Sequence, residues 1–220
     1  MASLTKMKGI VGFLGCCVNE DPMYLITEYT PNGNLHQVLE KMKDIADLKV
    51  EGVDLVTFAL NVAQGMQSLS QKTIIHREIM AKNIIVDSQW KCKLSGFGSS
   101  SAILTDERYR QKMEGCLPIR WMAPEVLSGN PYTAGSDVWS FGVLLWEVYS
   151  LGCTPYETLQ DDDVKGFIQG GKRLDIPKDS TEFPYQIMNS CFAEIPDDRL
   201  QVDDLVSSLQ QFQAESGKTY

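Results

Sequence analysis

The sequence predicts an α+β fold in which a small strand pair precedes a large, mainly helical body. Three observations carry the prediction. Two short apolar runs near the start flank a turn sequence, apolar residues then recur at three- and four-residue intervals, and one later segment is apolar on most of its faces. A helical body with few strands is an ordinary solution for burying one core.

The apolar runs cover 10–18 and 23–29 and are separated by Asn19-Glu20-Asp21-Pro22, which reads as the turn of a hairpin. After Pro31-Asn32-Gly33-Asn34 the pattern turns helical. Leu55, Phe58, Ala59, Val62, Met66 and Leu69 line one stripe. Between Ile74 and Leu94 short strand-like pieces surround a turn at Asp87-Ser88-Gln89, and an irregular segment follows over 95–124. Ser136 or Asp137 is expected to cap a helix through Val138, Phe141, Leu145 and Val148, with Gly152 near its end. Its nearly continuous apolar surface predicts a central, buried position. Asp161 is expected to cap the next helix, closed by Gly170-Gly171. Pro184 suits the first turn of another, and Leu205, Leu209 and Phe212 form a last stripe.

Composition restricts the function classes. Hydrophobic residues make up 43% and charged residues 22%, the balance of a globular chain. A formal net charge of −9 argues against nucleic acid or an anionic membrane as the main partner. No apolar run approaches the ~20 residues that span a bilayer, and no signal-peptide core follows the first residues. The six cysteines form no C-x-x-C pair, so a disulfide framework or a structural zinc site is not expected and reduced thiols are.

The irregular middle carries the specific motifs. His76-Arg77-Glu78-Ile79-Met80-Ala81-Lys82-Asn83 resembles the catalytic loop H-R-D-L-x-x-x-N of protein kinases. Gly96-Phe97-Gly98 resembles D-F-G, Ala123-Pro124-Glu125 matches A-P-E, and Ser136-Asp137-Val138-Trp139-Ser140-Phe141-Gly142 is similar to the buried helix that follows it. Four motifs in order, with suitable gaps, identify the chain as similar to the protein-kinase family over nearly its whole length. Pro118-Ile119-Arg120-Trp121-Met122 and the stretch Thr27-Glu28-Tyr29-Thr30 with Gly33-Asn34-Leu35 resemble the tyrosine-kinase, receptor-type branch.

The resemblance implies a protein-kinase-like fold: residues 1–30 as what remains of the upper lobe plus the hinge, and 31–220 as the lower lobe. It implies ATP and Mg²⁺ as ligands, other protein kinases or protein substrates as partners, and a cytoplasmic location, including the cytoplasmic part of a membrane receptor. Thr27 would be the gatekeeper, the backbone of Glu28, Tyr29 and Thr30 would face the adenine, and Ile85 would lie beneath it. His76, Phe97 and Phe13 match members of a hydrophobic spine, and Asp137 matches a residue that bonds the catalytic-loop backbone. Glu125 and Arg199 match a buried ion pair. Tyr109 sits where this branch carries a phosphorylated tyrosine, with Arg77 as the receiving arginine; the alternative is an ordinary exposed tyrosine in a charged loop. Asp161-Asp162-Asp163 reads as solvated charge at a helix start rather than a cation site. Trp121, Trp139 and Trp146 read as packing residues.

Two substitutions bear on catalysis. Phosphoryl transfer depends on positioning and charge stabilisation. Glu78 stands at the base position, where its extra methylene displaces the carboxylate by roughly an ångström, a misplacement that costs about 10²-fold in rate. Gly96 stands where a carboxylate should ligate Mg²⁺, which contributes several kcal/mol of transition-state stabilisation. Asn83 remains, but one neutral amide oxygen replaces a carboxylate poorly on a hard cation. Neither a G-x-G-x-x-G loop nor a V-A-I-K lysine occurs in these residues. The expectation is therefore a catalytically silent kinase fold, a pseudokinase, acting as a binding, scaffold or allosteric module. The alternative is the catalytic part of an atypical ATP-dependent protein-tyrosine kinase.

Overall fold

A computed structural model describes residues 7–19, 21–44, 54–98, 101–102, 117–177, 180 and 182–216. Tyr109 and Cys116 lie outside the described residues. The hairpin forms as two antiparallel strands, β1 (Phe13–Cys17) and β2 (Tyr24–Thr27), with a bulge between Phe13 and Gly15. Both strands are short, and Leu14, Val18, Met23, Tyr24, Leu25 and Ile26 are exposed.

Helix α1 (Leu35–Asp44) follows the turn at 31–34, where Asn34 Oδ1 accepts from the Gln37 N–H and the Gln37 side chain accepts from the Asn34 N–H in return. Helix α2 (Leu55–Ser70) opens on Asp54, whose carboxylate accepts from the Val56 N–H. The predicted stripe is its buried face, with Phe58 and Val62 fully enclosed. Strand β3 (Ile74–Ile75) leads into the catalytic-loop motif, and β4 (Ile84–Val86) pairs antiparallel with β5 (Cys92–Leu94) across the turn at Asp87. Irregular backbone had been expected over 95–124. It holds a short strand β6 (Ser101–Ala102) paired with β3, a 3₁₀ turn at Ile119–Trp121, and the one-turn helix α3 (Pro124–Leu127) begins at its end. Elements this short carry too few residues for periodicity to reveal them.

The buried helix is α4 (Ala134–Tyr149), and its cap differs from the expectation. Thr133 is the N-cap. Its hydroxyl accepts from the Ser136 N–H, while Ser136 Oγ accepts from the Thr133 N–H. The sequence offers three capping residues in five positions, and the chain starts the helix at the first, which leaves Asp137, and the hydroxyl proton of Ser136, for contacts elsewhere. Similarly, Gln160 rather than Asp161 precedes α5 (Asp161–Gln169); Asp161, Asp162 and Asp163 are exposed at its start, and Asp161 also pairs with Arg120 at 2.9 Å. Helices α6 (Glu182–Cys191) and α7 (Val202–Ser216) complete the body. Helix α7 packs on α2, and α6 packs on α4. The cysteines among the described residues are free.

Backbone contact joins the hairpin to the body. The Val11 N–H donates to Leu94 O at 2.9 Å, and the Leu94 N–H donates to Gly9 O at 2.8 Å. Gly9, at φ +72°, crosses Gly65 of α2 so closely that a Cβ on Gly65 would stand 2.6 Å from Gly9 O and 2.9 Å from a Leu94 methyl. Only glycine admits this approach. Gly65→Ala is therefore expected to destabilise the chain by about 1–3 kcal/mol through overpacking, although alanine is the better helix former. Urea unfolding of the two proteins checks it.

Candidate active site

The segment from His76 to Asn83 is irregular, and its backbone polar groups need partners once water is excluded. Helix α4 supplies them. The Asp137 carboxylate, on a residue 6% exposed, accepts from the His76 N–H at 2.7 Å and the Arg77 N–H at 2.8 Å. Burial pushes its pKa up to about 6 against the pull of these two donors and of the nearby Arg77 charge. Arg77 is held at φ +75°, a conformation that L-residues adopt sparingly and that the Asp137 bonds secure. The Arg77 guanidinium lies over the Tyr132 ring, 5.4 Å from its centroid.

His76 is fully buried. Its Nε2 lies 2.8 Å from Ser95 O, and the Glu78 N–H donates to its Nδ1 at 3.3 Å. These partners fit one neutral tautomer, with the proton on Nε2. Burial lowers its pKa to about 4, so the ring stays uncharged and serves as a brace rather than a base. Phe97 packs edge-on against it, ring centroids 4.9 Å apart.

At the base position Glu78 is drawn toward Asn83. The Asn83 amide donates to Glu78 O at 2.9 Å and to Glu78 Oε2 at 3.3 Å. The Asn83 carbonyl accepts from the Ser95 N–H at 2.9 Å and from Ser95 Oγ at 2.7 Å. Across from it Gly96 contributes no side-chain oxygen. Mg²⁺ asks for about six oxygens in octahedral array, at least one of them usually a carboxylate. Among the described residues no three His, Cys, Asp or Glu side chains gather at one point, and beside Gly96 the Asn83 amide offers a single neutral oxygen, Oδ1. The residues present do not fit a magnesium ion.

The stretch expected to form the hinge follows β2. Thr27 is its last residue, paired with Phe13; the Glu28 N–H donates to Gly12 O at 2.8 Å, Tyr29 is exposed, and Thr30 O accepts from the Gly33 N–H. Ile85 sits half-buried at the middle of β4, bridged to Asn34. The Glu28 side chain turns away from this strip. It accepts from the Gly12 N–H at 2.6 Å and pairs with Lys93 of β5 at 2.7 Å, while Lys93 also reaches Asp87 at 3.4 Å. Partial burial would raise the Glu28 pKa, but the Lys93 and Gly12 hydrogen bonds outweigh it and hold it below the usual carboxylate range. Sequence reading missed Lys93, since an alternating polar residue on a strand carries no distinguishing signal.

Below the cleft, Arg199 and Glu125 form a two-pronged ion pair, at 2.8 and 2.7 Å, with Arg199 3% exposed. Arg199 also donates to Ala193 O and Gly135 O, and Ser136 donates to Glu125 at 2.9 Å. Arg120 donates to the carbonyls of Pro155, Tyr156 and Leu159, so it ties the 3₁₀ turn to the segment before α5. Two further pins come from α4. Ser140 Oγ donates to Trp121 O at 2.8 Å, and Glu147 Oε2 accepts from the Ala81 N–H at 3.0 Å and Trp121 Nε1 at 2.9 Å. In the sequence Glu147 is a charge that interrupts the apolar run 141–148. That interruption was the available signal, because a carboxylate in a buried helix must have partners.

Two outcomes follow from this geometry. Arg199→Ala strands the Glu125 carboxylate in a buried site and is expected to cost about 3–5 kcal/mol, read by urea unfolding. Burial pushes the Glu147 pKa up from 4.5 to about 7, against the Trp121 and Ala81 hydrogen bonds. Between these values the unfolded chain releases the proton and the folded one keeps it, so the Glu147 contribution favours folding below pH 4.5 and is lost as pH rises through 7. Both bonds go to a single oxygen, which a glutamine carbonyl can replace. The stability of Glu147→Gln relative to the unsubstituted chain should rise between pH 5 and 8, and parallel unfolding at those pH values measures it.

The family model for the protein tyrosine and serine/threonine kinase domain matches residues 1–209. Among curated relatives, the fibroblast growth factor receptor of Halocynthia roretzi is 35% identical over 98% of this chain and 31% of its own length. Fibroblast growth factor receptor 1 of Xenopus laevis is 36% identical over 98% of the chain and 28% of its length. The tyrosine kinase receptor Cad96Ca of Drosophila melanogaster is 35% identical over 96% and 28%. The chain thus spans under a third of the length of these relatives. A motif order, a buried helix that organises the catalytic loop and a match over nearly every residue lead to one family: this chain belongs to the protein tyrosine and serine/threonine kinase family.

Proposed function

We propose that this chain is a pseudokinase of the tyrosine-kinase type, a module that acts by binding rather than by phosphoryl transfer. One observation carries the reading: position 96 has no carboxylate, which leaves Asn83 Oδ1, one neutral amide oxygen, at the place where the family pattern puts a metal. Without that charge the β- and γ-phosphates of ATP lack their bridging cation, and positioning alone does not neutralise the transferring group. The framework around the site keeps its bonds: Asp137 to the loop backbone, Glu125 to Arg199, Glu147 to Trp121. A rigid lower lobe with a silent centre suits a partner or scaffold for active protein kinases or their substrates, at the cytoplasmic face where receptor relatives would work. No helix among the described residues is long and apolar enough to cross a membrane.

In this proposal residues 1–30 supply the hinge and one hairpin of the upper lobe, and 31–220 the lower lobe. Thr27, Glu28, Tyr29, Thr30 and Ile85 form the strip against which an adenine would lie. Tyr109 is the proposed modification site, and Arg77 its receiver. A second reading, an atypical protein-tyrosine kinase, draws on the Glu78 carboxylate, which stays at the base position within reach of Asn83.

The deciding experiment titrates ATP against the purified chain with and without Mg²⁺ and follows the melting temperature, which rises for a ligand that binds only the folded state. The expected result is no Mg²⁺-dependent rise and no transfer from labelled ATP to a tyrosine peptide. Transfer that disappears in Asn83→Ala would overturn the pseudokinase reading.

A further inference from the structure

The loss at position 96 is more than a missing side chain. Gly96 has φ +75°, and a Cβ built on it would lie 2.8 Å from Asn83 Cγ, 2.9 Å from Oδ1 and 3.1 Å from Nδ2. The Asn83 amide plane lies against the glycine, with Cγ and Oδ1 closer than a real Cβ comes and Nδ2 in tight contact. This amide is not a loose end. It donates to Glu78 O at 2.9 Å, and its residue is held on both sides by backbone bonds, from the Asn83 N–H to Met80 O at 2.9 Å and from the Ser95 N–H to Asn83 O at 2.9 Å. Ser95 is fastened in turn, its hydroxyl on Asn83 O and its carbonyl on His76 Nε2. Swinging the amide clear would give up its bonds to Glu78.

We infer that Asn83 and Gly96 are a matched pair: the Asn83 amide fills the space that a side chain at position 96 requires, so the catalytic loop and the Gly96-Phe97-Gly98 turn are held together by protein atoms in place of a divalent cation. Asn83 is thereby a positioning residue of a metal-free cleft floor. This goes beyond the pseudokinase reading, because it makes the change at 96 irreversible by single substitution. A carboxylate returned to position 96 meets the amide before it can meet a metal. The pair also replaces a ligand-dependent contact with a permanent one, so the floor of the cleft is in place whether or not a cation is present.

A double-substitution cycle on the full chain tests the pairing. Gly96→Ala carries both the strain of a side chain at positive φ and the collision, and should lower the melting temperature by several degrees, at ~2–4 °C per unit of lost stability for a chain of this size. In an Asn83→Ala background the collision is gone and only the strain remains, so the same change should cost roughly half as many degrees. Equal costs in both backgrounds would overturn the pairing. If Asn83→Ala does not fold, Asn83→Ser, which also removes the amide plane, takes its place in the cycle. The second arm uses Mn²⁺ as the probe. Gly96→Asp alone should show no Mn²⁺-dependent rise in melting temperature, and a clear rise would overturn the inference. The two readings fail separately: phosphoryl transfer by the unsubstituted chain would end the pseudokinase proposal and leave the cycle untouched, while additive substitutions would end the pairing and leave the chain inactive.

Discussion

The arrangement rests on buried polar side chains projecting from α4. That helix is enclosed, so each polar group on it must find a partner or destabilise the fold. Ser136, Ser140 and Glu147, at spacings of four and seven, lie within roughly 40° of one another on a 3.6-residue helix, and Asp137 points to the adjacent side. Their partners are the groups that irregular loops leave unsatisfied: the N–H groups of His76, Arg77 and Ala81, the carbonyl of Trp121, and the carboxylate of Glu125. Two costs cancel. The helix could not bury these side chains without the loops, and the loops could not be buried without the helix. A position such as Arg77, at positive φ, is held because both of its neighbours in this exchange are fixed.

Burial also separates the charged groups by role. Glu147 and Asp137 have pKa values pushed upward by their surroundings, and both are bound to neutral donors. Glu125 behaves differently. Burial alone would raise its pKa, but the Arg199 and Ser136 hydrogen bonds outweigh that and hold it below the ordinary value. The Arg199 guanidinium also lies over the Trp139 ring, 5.2 Å from its centroid, and its Nε, Nη1 and Nη2 groups all donate. His76 stays neutral and accepts the single tautomer its neighbours allow.

Much of this was legible in the residues. The period of the stripe on α2, the turn at Asp87 and the apolar surface of α4 follow from spacing alone, because helix and strand geometry impose it. The motif order placed Asp137 beside the catalytic loop and Glu125 opposite Arg199. The misses have physical causes. Thr133, Ser136 and Asp137 are all competent caps, and the choice among them depends on which side chains have work elsewhere: Ser136 is needed by Glu125 and Asp137 by the loop. The Asp161 pairing with Arg120 carried no signal because the two lie far apart in sequence. Strand β6 and the one-turn helix α3 each span about one period, too little for a repeat to show.

The sequence by itself determined the order of elements, the family, and the two substitutions that remove a carboxylate at 96 and lengthen one at 78, since these are matters of residue type and local spacing. What only the tertiary structure decided is how the neighbours respond. Whether Asn83 keeps facing an empty position or folds onto the glycine depends on the reach of an amide across two segments brought together by Ser95 and His76. A sequence records that a side chain is missing; which atoms lie across the space is settled by the bonds that hold the two segments together, from Ser95 to Asn83 and from His76 to Ser95.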